Sequence, residues 1–192
     1  MGLGLSTAET ARLFALLDLT FADAVIAFYD AKYTYTFWRP VTAVRAANAD
    51  PSWLPEVTNT PPDPSYPGAH AVISSAGATV LSAFLGQDRF DFTVTSEVLP
   101  GVERSFTRFS AAGREAAESR VFAGVHFGFD PTAGRRLGRQ VAKLVDGRLL
   151  LLPVRAIDQM RAMTVARDRA IAERSARKRR IASSVVRPSA RS

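Results

Sequence analysis

His70 and His126 are the only imidazoles in the chain, and each stands among residue types that can grip a tetrahedral oxyanion. Tyr66-Pro67-Gly68-Ala69-His70-Ala71 surrounds the first. Ser119-Arg120, five residues, His126, three residues and Asp130 frame the second, and Lys32, six residues and Arg39-Pro40 lie upstream. A phosphate-type oxyanion needs permanent positive charge. Arg39 and Arg120 would offer planar forks that make parallel hydrogen bonds, and Lys32 a point charge. Histidine adds two roles near neutral pH, one as nucleophile or direct ligand and one as general acid or base. A carboxylate on one ring nitrogen fixes the tautomer and raises the basicity of the other nitrogen, and Asp130, four residues beyond His126, is placed for that. Singly, each residue has a plainer explanation as a surface charge, a structural histidine or a helix cap. Their joint order is what points to a site.

The elements that must position these groups read as helices. Ser6-Thr7-Ala8-Glu9 has the form of a capping box. Phe14, Leu17, Phe21, Val25 and Phe28 then recur at three- and four-residue spacing, which predicts an amphipathic helix from about residue 7 to about 31 with Lys32 at its end. Pro40 suits the first position of a second helix, to about Ala47. Residues 48–69 hold six prolines and read as a long ordered loop, a form that usually serves a site. Val72, Ala76, Val80 and Phe84 give the next helix an apolar face ending at Gly86, which puts His70 near a helix N-terminus. Residues 87–104 read as loop with one short strand at most, followed by a helix from about Ser105 to about Gly124. Pro131 opens a last helix to about Leu150, within which Gly134 and Gly138 have the spacing of a close helix contact. This order predicts an all-α fold, a helical bundle with a Pro-rich active-site loop at one end.

Composition excludes some chemistry and localises the charge. There are no cysteines, so disulfides, thiolate metal sites and thiol nucleophiles are out. The phosphate-loop motif, the dinucleotide glycine fingerprint and the metalloprotease histidine pair are missing from the sequence. The net charge of +7 belongs to the end of the chain, because residues 155–192 are strongly basic and residues 1–154 nearly neutral. We therefore expect a catalytic domain over 1–152 and a basic Ala/Arg/Ser-rich tail over 153–192, helical or disordered. Arg177-Lys178-Arg179-Arg180 in that tail would suit an anionic surface, whereas nothing predicts specific nucleic-acid binding. No stretch approaches the length of a membrane span and the N-terminus lacks the pattern of a signal peptide, so the compartment is left open.

The three blocks, taken together, resemble the vanadium-dependent haloperoxidase and type 2 phosphatidic acid phosphatase superfamily, whose signature is Lys-x6-Arg-Pro, then Pro-Ser-Gly-His, then Ser-Arg-x5-His-x3-Asp. Lys32 to Pro40 matches the first block in full and Ser119 to Asp130 the third, over a span of about residues 30–145. Phe37-Trp38-Arg39-Pro40 and Gly124-Val125-His126-Phe127 look most like the haloperoxidase branch. The resemblance implies that His126 bonds the vanadium of vanadate, or attacks phosphorus in a phosphatase, and that His70 is the acid/base. It implies that Lys32, Arg39 and Arg120, with the backbone at Gly68 and Ala69, hold the oxyanion, and that Asp130 orients His126. The substrates would be hydrogen peroxide and a halide, with vanadate as cofactor. The alternatives are a phosphomonoesterase working through a phosphohistidine without a cofactor, and an inactive oxyanion-binding or structural helical protein. The middle block departs from the pattern, with Gly68 in place of the family serine and Ala69 in place of the glycine. Haloperoxidases of the family also carry a further helical region before the lysine block, where a single helix is expected here, and a second copy in a homodimer is one way to close such a bundle.

Overall fold

The computed structural model describes residues 4–47, 50–57 and 59–150, with no account of side chains at 146–150. The expected tail, with its Arg177–Arg180 run, lies outside the described residues. The fold is that of the unit Met1–Leu149. The capping box forms as its spacing predicts: Ser6 Oγ accepts from the Glu9 amide, and the Glu9 carboxylate accepts from the Ser6 amide at 2.8 Å. Helix α1 runs from Thr7 to Tyr35, one turn longer than its apolar periodicity suggests. Its buried stripe is Leu13, Leu16, Thr20, Ala24, Phe28 and Lys32, which keeps Phe28 of the predicted Phe14, Leu17, Phe21, Val25 and Phe28 face, with Leu17 partly buried against the core. Phe14 is 59% exposed, and Val25 is exposed too. Apolar residues lie on more than one side of α1, so packing partners rather than periodicity choose the buried side. After Leu16 each member of that stripe follows the last by four residues, and the series ends on Lys32. The lysine is therefore carried into the interior by the same helical face that makes the core.

Helix α2, Pro40–Ala46, starts at the proline as expected, with Arg39 as its N-cap residue. Helix α3, Ala69–Phe84, buries Val72, Ala76 and Val80. Helix α4 spans Phe109–Phe122 and helix α5 spans Phe129–Leu150. The core joins Leu13, Leu16, Ala24 and Phe28 of α1 to Val72, Ala76 and Val80 of α3 and to Val141, Ala142 and Val145 of α5. Among the described residues no helix is long and apolar enough to cross a membrane.

Two glycines let α5 lie against α3. A Cβ on Gly134 would fall 2.5 Å from the Gly68 carbonyl oxygen and 2.8 Å from Ala71 Cβ, and one on Gly138 would overlap the Val72 carbonyl. The spacing of Gly134 and Gly138 thus marks a close backbone approach. That approach holds the start of α3, with Gly68 and His70, beside the start of α5, with Asp130.

The segment between α3 and α4 departs from the sequence reading. In place of a loop and a helix from Ser105, an antiparallel hairpin forms from β1, Arg89–Ser96, and β2, Leu99–Arg108. Phe92 pairs with Phe106, and Thr93 with Ser105, whose hydroxyls hydrogen-bond at 2.9 Å. Phe90 and Phe92 stack near Phe109, the first residue of α4. Alternating phenylalanines among Thr and Val are strand-formers, and this pattern outweighs the Pro100-Gly101 turn signal. The fold remains a helical bundle with this one two-stranded ribbon among the described residues.

Candidate active site

Lys32 sits in the last turn of α1 and is fully buried. The helix ends at Thr36, which takes a left-handed conformation at φ 46° while its amide bonds the Lys32 carbonyl. That sharp exit turns the chain, and Phe37 and Trp38 then lead to Arg39, which is extended and caps the start of α2. The Pro-rich loop returns across it, with the Ser65 amide donating to the Phe37 carbonyl at 2.8 Å.

The two cations are tied to that loop. Lys32 Nζ donates to the Pro64 carbonyl, to the Ser65 carbonyl at 3.2 Å and to Asp63 Oδ2 at 2.9 Å. All three ammonium protons are thereby engaged. Arg39 Nε donates to the Asp63 carbonyl at 2.9 Å, Nη2 to Asp63 Oδ1 at 3.3 Å, and Nη1 to the Val125 carbonyl at 2.8 Å. Burial lowers the pKa of both cations below their ordinary values, opposed by the charge of Asp63. Burial would raise the Asp63 pKa, yet the hydrogen bond and charge of Lys32, with the charge of Arg39, hold it below the ordinary carboxylate value.

His126 is set by the turn between α4 and α5. Gly124, at φ +76°, makes the turn under Pro55 and Trp53, where a Cβ would meet Pro55 at 3.1 Å. His126 Nδ1 lies 2.9 Å from Asp130 Oδ2, which also accepts from the Phe127 amide at 3.0 Å and from Ser65 Oγ at 2.5 Å. Since Asp130 faces Nδ1 and Arg39 Nη1 faces Nε2 at 3.1 Å, the proton belongs on Nδ1 and the lone pair on Nε2. Burial pushes the His126 pKa down, the Asp130 hydrogen bond partly restoring it, which favours this neutral form.

His70 occupies the first turn of α3 at the exposed rim of the cluster. Partial burial comes first in pushing its pKa down, followed by the charges of Arg120, His126, Arg39 and Lys32. Arg120, Arg39 and Lys32 thus act on His70, and Arg39 and Lys32 also act on His126. Arg120 lies in the last turn of α4, and its Nε is buried with no hydrogen-bond partner among the described residues. Gly68 N-caps α3 and gives its own amide to the Asp130 carbonyl at 3.2 Å, so that N–H serves packing. No side chain caps α3, which leaves the amide of Ala69 facing the N-terminal end of the helix.

Lys32, Arg39, Arg120, His70, His126, Asp130, Gly68 and Ala69 thus gather where α1, α3, α4 and α5 meet the Pro-rich loop. Sequence reasoning missed Asp63 and Ser65. The only sequence signal for them is general: a carboxylate and a hydroxyl flanking Pro64, inside a loop predicted to serve a site. Ser119, part of the third block, is exposed and donates its hydroxyl to the Ala116 carbonyl at 2.9 Å. Beside the cluster, Tyr35, Phe37, Tyr66, Phe127 and Phe129 form one contiguous set of ring contacts.

Comparison with known proteins identifies the family of the chain. Residues 12–150 match the family model described as the VCPO second helical-bundle domain. Vanadium chloroperoxidase of Curvularia inaequalis is 31% identical over 179 residues, spanning 68% of this chain and 29% of that protein. A bacterial vanadium-dependent iodoperoxidase of known structure is 35% identical with a TM-score of 0.68, covering 73% of this chain and 34% of that one. A holo-type bacterial vanadium-dependent chloroperoxidase, 22% identical with a TM-score of 0.59, shares the fold over 68% of this chain and 34% of its own. The chain therefore spans about a third of the length of these relatives. By the extent of the family match and by its helical-bundle fold, it belongs to the vanadium haloperoxidase-like superfamily, as a VCPO second helical-bundle domain.

Proposed function

We propose that the chain carries the oxyanion site of a vanadate-dependent haloperoxidase-like enzyme, which oxidises a halide with hydrogen peroxide. The observation that carries this is His126, buried, with Nδ1 held by Asp130 and the Nε2 lone pair turned toward the cation cluster. The donor set fits a tetrahedral oxyanion on two further counts: Arg120 Nε is a buried donor with no partner among the described residues, and α3 begins without a side-chain cap. His126, Arg39, Arg120, Lys32 and the Ala69 amide would hold vanadate. When bound, vanadate supplies a Lewis acid that makes hydrogen peroxide an electrophilic oxidant of halide.

The residues of the chain supply the rest. Asp130 keeps the proton on Nδ1 and so keeps Nε2 free as a ligand atom. Arg39 gives up its hydrogen bond to Nε2 when an oxyanion arrives, because both would use the same lone pair. His70, neutral and at the rim, is placed to accept a proton through a ring nitrogen from an entering acid, as a general base must. Bound negative charge would then raise its pKa, since its depression comes in part from the four surrounding positive or ionisable groups.

One observation favours phosphomonoester hydrolysis as a second reading. The His126 Nε2 lone pair, with the ring proton held on Nδ1 by Asp130 and Arg39 beside it, suits attack on phosphorus as well. The purified chain, loaded with orthovanadate, is assayed for peroxide-dependent bromination and iodination. The vanadate-free chain is assayed for p-nitrophenyl phosphate hydrolysis, and His126→Ala serves as control in both. Halogenation lost in the variant supports the first reading, hydrolysis lost in the variant supports the second, and neither activity marks an inactive oxyanion binder.

A further inference from the structure

Asp63 is an acidic residue built into a site whose other polar members favour an anion. Its carboxylate bridges the two buried cations, with Oδ2 2.9 Å from Lys32 Nζ and Oδ1 3.3 Å from Arg39 Nη2. The same guanidinium reaches His126 Nε2 through Nη1 at 3.1 Å. One planar group thus separates the Asp63 carboxylate from the nitrogen on which the oxyanion would centre. Lys32 has no unspent proton, because Asp63 shares it with the Pro64 and Ser65 carbonyls. An oxyanion that engages Lys32 must therefore do so alongside Asp63. The backbone around Asp63 is fixed, since its own carbonyl accepts from Arg39 Nε at 2.9 Å and the next two carbonyls accept from Lys32.

We infer that Asp63 is the specificity-determining residue of the site and makes it select oxyanions that carry their own proton. An ionised carboxylate only accepts hydrogen bonds. A hydrogen phosphate, or a protonated vanadate, can donate an O–H to Asp63 and convert a like-charge contact into a short hydrogen bond. Sulfate has no proton near neutral pH. Its oxygens would face the carboxylate unpaired, and a buried acceptor left without a donor is costly. Specificity would come from refusing the unprotonated anion as much as from holding the protonated one.

The inference rests on the oxyanion-site reading, and the experiment separates the two. Isothermal titration of the full chain near pH 7.5 at fixed ionic strength compares inorganic phosphate, orthovanadate and sulfate. The probes are run on the unmodified chain, on Asp63→Asn and on Asp63→Glu, with thermal unfolding reporting that each variant is folded. The expected result is that the unmodified chain binds phosphate and vanadate at least about 30-fold more tightly than sulfate, the scale set by one unpaired acceptor. Asp63→Asn, which can donate as well as accept, is expected to gain sulfate affinity and shrink that preference to within about threefold, while Asp63→Glu keeps it. A preference unchanged in Asp63→Asn, with phosphate still bound, overturns the inference and leaves the site reading intact. Equal binding of sulfate and phosphate by the unmodified chain overturns it without recourse to any variant. No binding of any anion by any form removes the site reading and the inference together.

Discussion

Replacing Ser65 by alanine should loosen the arm that holds His126, and the structure sets the size of the effect. Ser65 and Asp130 are both fully buried, and the hydroxyl donates to Asp130 Oδ2 at 2.5 Å. That distance is in the range of a charge-assisted O–H to carboxylate bond. Removing a hydrogen bond to a charged group costs about 1.5–3 kcal/mol. Alanine leaves little empty volume, so the cavity contribution is small. Asp130 keeps His126 Nδ1 and the Phe127 amide as donors, but its Oδ1 has no partner among the described residues that could compensate. We therefore expect a loss of about 2 kcal/mol, equivalent to a fall in Tm of about 4–8 °C for a domain of this size. Urea and thermal unfolding of Ser65→Ala measure it. Ser119→Ala is the control, because that hydroxyl is exposed and bonds only its own helix, so a change within about 0.5 kcal/mol is expected. Oxyanion affinity should drop in Ser65→Ala as well, since Asp130 and His126 lose part of their fixed orientation. A stability change below about 0.5 kcal/mol in Ser65→Ala would refute the reasoning. It would mean that Asp130 is held well enough without the loop.

Two further outcomes follow from the packing and the charges. Gly138→Ala should destabilise by about 3 kcal/mol or abolish cooperative unfolding, because the added Cβ overlaps the Val72 backbone, which cannot move aside as a side chain would. A Tm within about 2 °C of the unmodified chain would contradict the close α3–α5 approach. Stability should also fall in acid. The pKa of each histidine, His70 and His126, lies below its unfolded value, so the unfolded state binds more protons and stability is full above about pH 6.5 and lost as pH drops through the lower, folded values. Asp63, also depressed, adds a second loss that begins only below about pH 3.9. Urea midpoints between pH 8 and pH 4 would register the first loss, and a midpoint constant or rising from pH 7 to pH 5 would contradict it.

Much of the fold is legible in the sequence where local chemistry is decisive. The Ser6–Glu9 box, Pro40 at the first turn of α2 and the apolar face of α3 each act within one turn of helix. The Gly134/Gly138 pair is legible as spacing, but only the structure shows which backbone it admits. The face of α1 is legible only in part: Phe28 is buried and Leu17 packs against the core, but Phe14 and Val25 are exposed, because apolar residues surround the helix and burial depends on what α3 and α5 offer. The hairpin was misread because its stability lies in pairs such as Phe92 with Phe106, separated by 14 residues, which no local window reports. The cations and histidines were legible as ordered blocks. Asp63 and Ser65 were not, because their roles come from a loop without periodicity that folds back across Lys32 and Asp130.

The central claim is that His126 and its surrounding cations form an oxyanion site. Thermal unfolding of the purified chain with and without orthovanadate, alongside His126→Ala, tests it most directly. Binding only to the folded state at 100 times Kd stabilises by about 2.7 kcal/mol, or roughly 5–10 °C here. The account predicts such a rise with vanadate in the unmodified chain and none in His126→Ala. A cooperatively unfolding chain whose Tm does not move, or a variant that gains as much as the unmodified chain, would contradict it.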